Sequence, residues 1–163
     1  MLNFFAPTYR IGRVEDLTLE LLRAWGLRAL LLDVDCTLTR YRELSVPPPV
    51  ADWISILRAD GVAMCLVSNG LEPRIREFAA TINLPYVARA MKPFSRGVRA
   101  AMRRLDRRPT ETAMVGDQLF ADVWAGRTAG IRTILVEPIH PEEEPWFTRL
   151  KRPPERFFLR RRN

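Results

Sequence analysis

Short apolar runs alternate along the chain with longer segments in which apolar and polar residues are mixed. Five of the runs are rich in branched side chains and are typical of β-strands; they lie at 29–34, 62–67, 86–88, 112–115 and 132–136. Most of them are apolar throughout instead of alternating, which is typical of strands covered on both faces. The pattern therefore predicts a sheet buried between two layers.

The mixed segments predict four helices, because apolar residues recur in them at intervals of three and four. The first has its apolar stripe at Val50, Ile54 and Leu57, after a proline triplet and before Gly61. The stripes of the other three are Ile75, Phe78, Ala79 and Ile82 after Pro73; Phe94, Val98, Ala101, Met102 and Leu105; and, more loosely, Leu119, Val123 and 126–129. Alternating strands and helices predict an α/β fold with a parallel sheet of about five strands and helices on both faces.

Polar residues accumulate directly after four of the predicted strands. Ligand sites in parallel sheets lie at the carboxyl ends of the strands, so we expect these residues to meet at one edge. In chain order they are Asp33 and Asp35, Ser68 and Asn69, Lys92, and Asp117 with Asp122. Each of them alone has an ordinary explanation as a turn residue, a helix cap or a solvated lysine. Their joint occurrence, each after a separate strand, is much harder to attribute to chance.

These residue types have a common chemical use. Three acids that converge at one sheet edge repel one another unless a cation lies between them, and clustered carboxylate oxygens suit Mg²⁺. A hydroxyl, free backbone N–H groups and a lysine opposite the acids would hold an anion. Metal ligands, an anion site and a spare carboxylate together predict phosphoryl transfer.

The same residues resemble the four signature motifs of the haloacid dehalogenase (HAD) superfamily. The motifs are DxDxT at 33–37, Ser68 after a strand, Lys92 before a helix and GDxxxxD at 116–122, and the resemblance covers about residues 25–138. The close spacing of the motifs and the residues GDQ at 116–118 resemble those of the class IIIA phosphatases of the YqeG type. This branch includes mitochondrial phosphatidylglycerophosphatases. The resemblance implies a Rossmann-like fold and an enzyme that hydrolyses phosphoric monoesters.

The resemblance also implies which residues perform catalysis and bind phosphate. Asp33 is expected to be the nucleophile that forms an aspartyl-phosphate, and Asp35 the general acid and base. Lys92 is expected to balance the negative charge of Asp33 and of the phosphoryl group. The implied phosphate-binding set is Ser68, Asn69 through its backbone N–H, Lys92, and Thr37, which braces the loop.

The cofactor that the resemblance implies is Mg²⁺. Its implied ligands are the Asp33 carboxylate, the Asp35 carbonyl and Asp117, with Asp122 as an outer ligand through water.

Cys36 departs from the pattern of that branch, which usually carries asparagine at this position. An amide can brace a turn with hydrogen bonds, whereas a thiol is a poor hydrogen-bonding group. The departure bears on the rigidity of the loop and on the rate, and not on the identity of the nucleophile. A reactive cysteine is a weak alternative, because the only histidine, His140, is far from it in sequence. Cys36 and Cys65 are expected to be buried free thiols.

The intervals between the motifs leave no room for an inserted cap domain. Asp35 and Ser68 are separated by 32 residues and Ser68 and Lys92 by 23, and a helix and a strand take up most of each interval. The segment 40–49 can form a flap but not a domain. A capless, open cleft suits a phosphate group on a large partner such as a lipid. The alternative is a capless enzyme for a small phosphorylated metabolite, with a neighbouring subunit covering the site.

Positive charge is concentrated at the C-terminal end of the chain. The segment 148–163 has seven basic residues and one acid, so it carries +6 of the formal net charge of +7. Residues 1–147 are therefore expected to form a single, nearly neutral phosphatase domain, followed by a basic tail that contains Phe157 and Phe158. Cations mixed with aromatic side chains suit an anionic membrane surface, at about 1 kcal/mol per basic residue, and they also suit RNA.

These features predict an Mg²⁺-dependent phosphomonoesterase, and the resemblance implies phosphatidylglycerophosphate as its favoured substrate. No apolar run approaches the roughly 18 residues that span a bilayer. The expected location is the cytoplasm, with peripheral contact at the inner face of the membrane through the tail. A function of a different class stays open, namely a basic RNA- or ribosome-associated protein on the same scaffold.

Overall fold

The sheet of the protein contains six parallel strands, one more than the sequence pattern predicted. The computed structural model describes residues 6–146, so the predicted basic tail and the first five residues lie outside the described part of the chain. The strands are β1 (Tyr9–Arg10), β2 (Ala29–Leu32), β3 (Ala63–Val67), β4 (Tyr86–Val87), β5 (Thr112–Gly116) and β6 (Arg132–Leu135). Their order is β1-β6-β5-β2-β3-β4, which places β2 in the middle of a doubly wound, Rossmann-like sheet.

The additional strand is β1, which pairs with the outer edge of β6. It has only two residues, with Tyr9 opposite Ile134, so it is too short to give a periodic signal in the sequence. Thr8 and Thr133 extend the pairing, since the backbone N–H of each donates to the hydroxyl of the other at 3.1 Å. The ring of Tyr9 also stacks on Trp25, with the ring centroids 3.7 Å apart.

In the described part of the chain, five helices cover the two faces of the sheet. They are α1 (Leu19–Ala24), α2 (Pro48–Ala59), α3 (Glu72–Ile82), α4 (Arg96–Leu105) and α5 (Trp124–Ala129). Leu30 and Leu32 face a core formed with α1, α2 and α3, whereas Leu31 faces a second core formed with α4 and α5. The alternation along β2 explains why the run is apolar throughout: each face of the strand meets a helix layer.

Two of the predicted elements differ in the structure. Phe94 was assigned to the apolar stripe of the third predicted helix, but α4 begins at Arg96 and the Phe94 side chain is 66% exposed. Its spacing fits a helix, yet it follows the turn of Lys92 and Pro93 and stays outside the core. The last helix, α5, begins only at Trp124, because Leu119–Val123 forms one turn of π-helix before it.

The two places where a cap domain could be inserted hold only short connections. The segment 33–47 between β2 and α2 is a loop, in which the Thr39 hydroxyl donates to the Ser45 carbonyl at 2.6 Å. The connection between β3 and β4 is α3 alone. The fold is therefore capless, as predicted. Both cysteines are buried and neither is in a disulfide, as predicted, and burial raises the pKa of the Cys65 thiol to about 12.

The helices between residues 6 and 146 are all too short or too polar to cross a lipid bilayer.

Close packing at Gly97 sets the position of α4 and gives a test of the fold. A Cβ atom at this position would lie 2.5 Å from the Ala90 Cβ and 2.6 Å from the Ala90 carbonyl oxygen. Gly97→Ala is therefore expected to lower the free energy of unfolding by about 1–3 kcal/mol, although alanine favours helices, because the helix must move away from Ala90. Urea unfolding measures the change. Arg96→Ala, in the same turn but exposed, is the control and should leave stability within about 0.5 kcal/mol; equal stability of the two variants would contradict the packing described.

Candidate active site

A cleft of about 430 Å³ lies at the carboxyl end of β2, where the chain crosses from one half of the sheet to the other. This is the position at which doubly wound sheets bind ligands. The Asp33 N–H donates to the Val115 carbonyl at 2.9 Å, which fixes the first residue after β2 against β5. Five of the predicted site residues line the cleft. They are Asp33 and Asp35 after β2, Ser68 and Asn69 after β3, and Lys92 after β4.

Lys92 lies between two carboxylates at the base of the cleft. Its Nζ donates to Asp33 Oδ1 at 2.6 Å and to Asp122 Oδ1 at 2.7 Å. All three side chains are buried, with at most 8% of any of them exposed. Buried ion pairs with such geometry hold their partners in fixed positions, because loss of either partner leaves a charge uncompensated.

The buried lysine and the buried carboxylates change each other's pKa values. Burial raises the pKa of Asp33 well above its ordinary value, and Asp122 raises it further, while the Lys92 ammonium opposes both. Burial disfavours the charged form of Lys92, but the carboxylates of Asp122 and Asp33 outweigh it and raise the pKa of the ammonium. Lys92 therefore stays charged, and by itself it does not offset the negative charge around Asp33.

The remaining negative charge fits a divalent cation. Carboxylate oxygens of Asp33, Asp117 and Asp122 all lie within 4.8 Å of one another, and all three residues are buried. Three carboxylates and one ammonium bring more acidic than basic groups into a low-dielectric site. The Thr37 hydroxyl, which is also buried, donates to Asp117 Oδ1 at 3.1 Å and orients this carboxylate. A compact, all-oxygen donor set with this charge suits Mg²⁺.

The π-helical turn and a glycine bring Asp122 to the site. The extra residue of a π turn shifts the register of the following helix, and such turns are frequent at functional sites. The Gln118 N–H donates to Asp122 Oδ2 at 3.0 Å. A Cβ atom at Gly116 would lie 2.3 Å from Asp122 Cγ, so the absence of a side chain at the end of β5 creates the space that Asp122 occupies.

Asp35 stands apart from this charged cluster and faces the opposite wall of the cleft. Its Oδ1 accepts from the Arg42 N–H at 2.8 Å, and its Oδ2 is paired with Arg74 Nη2 at 2.5 Å. The side chain is 20% exposed. The structure thus gives the two aspartates of the DxD motif separate surroundings: Asp33 beside a buried lysine, and Asp35 at the open side.

The loop after β3 connects the predicted anion site to Lys92. The Ser68 hydroxyl is buried and accepts from the Gly70 N–H at 3.0 Å, so its own proton stays available for another acceptor. The Asn69 side chain bonds to the main chain of Lys92 in both directions: Oδ1 accepts from the Lys92 N–H at 2.8 Å, and Nδ2 donates to the carbonyl at 3.0 Å. The Asn69 amide thereby locks together the two loops that form the cleft.

Non-glycine residues with left-handed backbone conformations concentrate in the loops around the site. Cys36 and Arg42 have φ of +61°, Arg89 has +46° and Met91 has +57°. Such conformations cost about 1–3 kcal/mol each and persist where the surroundings enforce them. Asparagine tolerates this conformation better than most residues, which gives a physical reason for the asparagine expected at the position of Cys36.

Several cleft-lining residues were not predicted from the sequence: Tyr41, Arg42, Arg74, Gln118 and Glu144. Arg74 stands in the first turn of α3, close to the ligand edge of the sheet, which is a positional signal. Glu144 is buried in an acidic segment where no sequence feature distinguishes it from its neighbours. The segment is held over the cleft by the Ile139 N–H, which donates to the Cys36 carbonyl at 2.8 Å, and by an ion pair of Arg40 with Glu143.

Comparison with known proteins shows the family to which the chain belongs. The family model of the haloacid dehalogenase-like hydrolases matches residues 5–130. The YqeG protein of Bacillus subtilis, named as a probable phosphatase, is 28% identical over 157 residues, which are 96% of this chain and 91% of that protein. Phosphatidylglycerophosphate phosphatase 1 of Arabidopsis thaliana is 26% identical over 168 residues, which are 98% of this chain but only 48% of that protein.

Solved structures support the same fold at low sequence identity. The cobalt-bound deoxy-D-mannose-octulosonate 8-phosphate phosphatase of Haemophilus influenzae has a TM-score of 0.58 at 16% identity, with 79% of this chain and 77% of that chain covered. A CbbY variant from Rhodobacter sphaeroides, in complex with xylulose-(1,5)bisphosphate, also has a TM-score of 0.58 at 16% identity, covering 74% and 90%. The phosphatase names of these relatives identify the chain as a phosphatase. Because the family model matches residues 5–130, most of this chain, the chain belongs to the haloacid dehalogenase-like hydrolases.

Proposed function

We propose that the protein is an Mg²⁺-dependent phosphomonoesterase that acts through an aspartyl-phosphate at Asp33, with phosphatidylglycerophosphate as its favoured substrate. The observation that carries the chemistry is the ion pair of Asp33 with Lys92, buried at the edge of the sheet and open to the cleft. A carboxylate held this way has a fixed direction of attack, and the adjacent ammonium favours its charged form.

The proposed reaction has two steps. In the first, the Asp33 carboxylate attacks phosphorus, the bond from phosphorus to the substrate oxygen breaks, and Asp35 donates a proton to the leaving oxygen. In the second, Asp35 takes a proton from a water molecule, which attacks phosphorus and breaks the bond to Asp33. The separate surroundings of the two aspartates support this division, because Asp33 is held by the buried Lys92 whereas the Asp35 side chain is 20% exposed and contacts Arg42 and Arg74.

The phosphoryl oxygens would be held opposite Asp35. The Ser68 hydroxyl and the Asn69 backbone N–H are proposed as donors, and Lys92 as the positive charge that offsets both Asp33 and the phosphoryl group. Mg²⁺ would be held by Asp33, the Asp35 carbonyl and Asp117, with Asp122 as an outer ligand and Thr37 bracing Asp117. When bound, the cation supplies positive charge that neutralises the carboxylates and the transferring phosphoryl group.

A lipid substrate is supported by the rim of the cleft. Large apolar side chains are exposed in the two loops that Asn69 joins: Leu71, 61% exposed, after β3, and Met91 and Phe94, 58% and 66% exposed, on either side of Lys92 after β4. Phe94 also lines a neighbouring groove with Trp124 and three arginines, Arg96, Arg99 and Arg103. Apolar anchors beside cations suit an anionic bilayer surface, and the absence of a cap leaves the cleft open to it. The name of the Arabidopsis relative points to the same substrate.

The basic tail at 148–163 would add to this attachment, and we propose peripheral contact with an anionic membrane. RNA binding by the same tail is the second possibility, favoured by its composition alone.

The first prediction concerns the nucleophile. Asp33→Asn is expected to lower turnover of a soluble phosphate ester by about 10³-fold or more, because it removes the attacking charge but almost no volume. Asp52→Asn, on the exposed face of α2, is the matched control and should keep full activity. Stopped assays of phosphate release measure both. Near-normal activity of Asp33→Asn, with its fold verified by circular dichroism, would rule out the proposed mechanism.

The second prediction concerns the metal. Because three buried carboxylates lie close together, a cation bound between them should stabilise the folded state, so Mg²⁺ should raise the melting temperature of the protein and EDTA should stop turnover. Asp117→Asn is expected to reduce the Mg²⁺-dependent rise while leaving the metal-free protein at least as stable, since it removes one of three repelling carboxylates. Differential scanning fluorimetry over a Mg²⁺ titration tests this. Full activity in chelator, or an unchanged rise in the variant, would contradict the assigned site.

The third prediction concerns the lipid surface. A double variant, Met91→Ser with Phe94→Ser, should retain turnover of a soluble ester within about twofold but lose about tenfold or more on phosphatidylglycerophosphate in vesicles, because it removes two apolar anchors. Ile56→Ser is the control, since Ile56 is 56% exposed on α2 and is not part of the cleft lining. Vesicle sedimentation should show the same difference. A full-length protein that ignores anionic vesicles but binds RNA with a steep salt dependence would favour the alternative.

A further inference from the structure

Arg74 forms part of the cleft wall opposite Lys92 and has no role in the reaction proposed above. It lies in the first turn of α3, and its side chain is 17% exposed. Its Nη2 is paired with Asp35 Oδ2 at 2.5 Å. A guanidinium has five N–H donors arranged as a rigid fork, so this pair uses only a small part of its capacity.

One nitrogen of Arg74 lacks a partner altogether. Among residues 6–146, Arg74 Nη1 is the only buried side-chain nitrogen or oxygen for which no hydrogen-bond partner is found. A buried donor of this kind costs free energy unless an acceptor satisfies it, and a charged donor costs most. The Arg74 guanidinium therefore has N–H donors that its contact with Asp35 does not use. A neutral side chain with one donor would be enough to orient Asp35.

The surroundings of Arg74 leave room for its guanidinium and add a second cation. A Cβ atom at Gly70 would lie 2.7 Å from Arg74 Nη2, so the glycine supplies space that the guanidinium occupies. Arg42 lines the same cleft from the segment after β2, and its backbone N–H donates to the other oxygen of Asp35. Both arginines thus line the cleft and contact Asp35, Arg42 through its backbone N–H and Arg74 through its guanidinium.

We propose that Arg74, with Arg42, forms a subsite for a second anionic group carried by the leaving group of the substrate. This inference rests on the proposed phosphatase function and narrows its substrates to phosphomonoesters whose leaving alcohol bears a phosphodiester. The scissile phosphate has its own cations at Lys92 and the metal site, so a second pair of cations on the opposite wall suits a second anion. A phosphodiester accepts two parallel N–H donors from one guanidinium.

Two soluble esters test the subsite without any contribution from a membrane. They are glycerol 3-phosphate, whose leaving alcohol is neutral, and glycerophosphoglycerol phosphate, whose leaving alcohol carries a phosphodiester. The full chain with Mg²⁺ is expected to show a kcat/KM at least about tenfold higher for the second ester, as one additional hydrogen bond between charged groups provides.

Variants separate recognition of the anion from the orientation of Asp35. Arg74→Gln is expected to slow both esters, since Asp35 loses its ion pair, and to reduce the preference for the diester-bearing ester by a further factor of about ten. Arg74→Lys keeps the charge but loses the fork, and should retain part of the preference. Arg76→Gln, an exposed arginine two residues along α3, is the matched control and should change neither ester.

A binding measurement gives a readout that a purely structural role would not change. The dephosphorylated product, glycerophosphoglycerol, contains the second anion but no scissile phosphate. Calorimetry should show that it binds the wild-type chain and binds Arg74→Gln about tenfold more weakly.

The possible failures are distinguishable. If Arg74→Gln slows both esters by the same factor and leaves product binding unchanged, Arg74 only positions Asp35 and the subsite is wrong. If the wild-type chain hydrolyses both esters equally well, the phosphatase assignment stands and the subsite is again wrong. If it hydrolyses neither ester with Mg²⁺, the proposed function fails and the subsite with it.

Discussion

The buried contact of one ammonium with two carboxylates determines how this end of the sheet is built. Lys92 comes from the loop after β4, Asp33 from the end of β2, and Asp122 from the π-helical turn after β5, so the cluster ties together three connections that are distant in sequence. Separating such a pair costs about 3–5 kcal/mol, because the remaining charge has no water to solvate it. The ion pairs of Lys92 with Asp33 and Asp122 therefore fix the positions of these loops, and the loops in turn hold the three side chains together.

The same cluster explains why the surrounding backbone is conformationally demanding. Asn69 fixes the main chain of Lys92 with two hydrogen bonds, and Met91 just before it adopts a left-handed conformation. Ordinary loops relax such geometry, but here the buried pair at the end of the Lys92 side chain prevents relaxation. The left-handed conformation of Met91 costs stability, but it lets the Lys92 side chain reach Asp33 and Asp122.

The sequence predicted the parts of the fold that have a repeating signal. Strands covered on both faces and helices with one apolar stripe were identified because many residues contribute to each pattern. The strand β1 was missed because two residues have no period, and Phe94 was misassigned because spacing alone does not show where a helix begins. The motif residues could be selected from the sequence because they lie in connections that follow strands, and the structure places these connections at one edge of the sheet.

Contacts between motif residues and the rest of the chain had no comparable signal. Thr37 was recognised as a brace, yet only the structure shows that it acts on Asp117, which is 80 residues away. Arg74 and Glu144 reach the cleft through the packing of α3 and through the attachment of the segment after β6. Such contacts depend on the angle between elements, which is set by the whole core and not by any local pattern.

The missing side chain at Gly116 has a consequence for reading related sequences. Gly116 and Asp122 share one volume, since a methyl group on the first would overlap the carboxylate of the second. A chain with a larger residue at the first position can keep the acid at the second only by moving it out of the cluster. The glycine of the GD pair is thus a marker of the buried acidic cluster: where it is replaced, we expect the acid at the second position to lie outside the cluster, even when every acidic residue is still present.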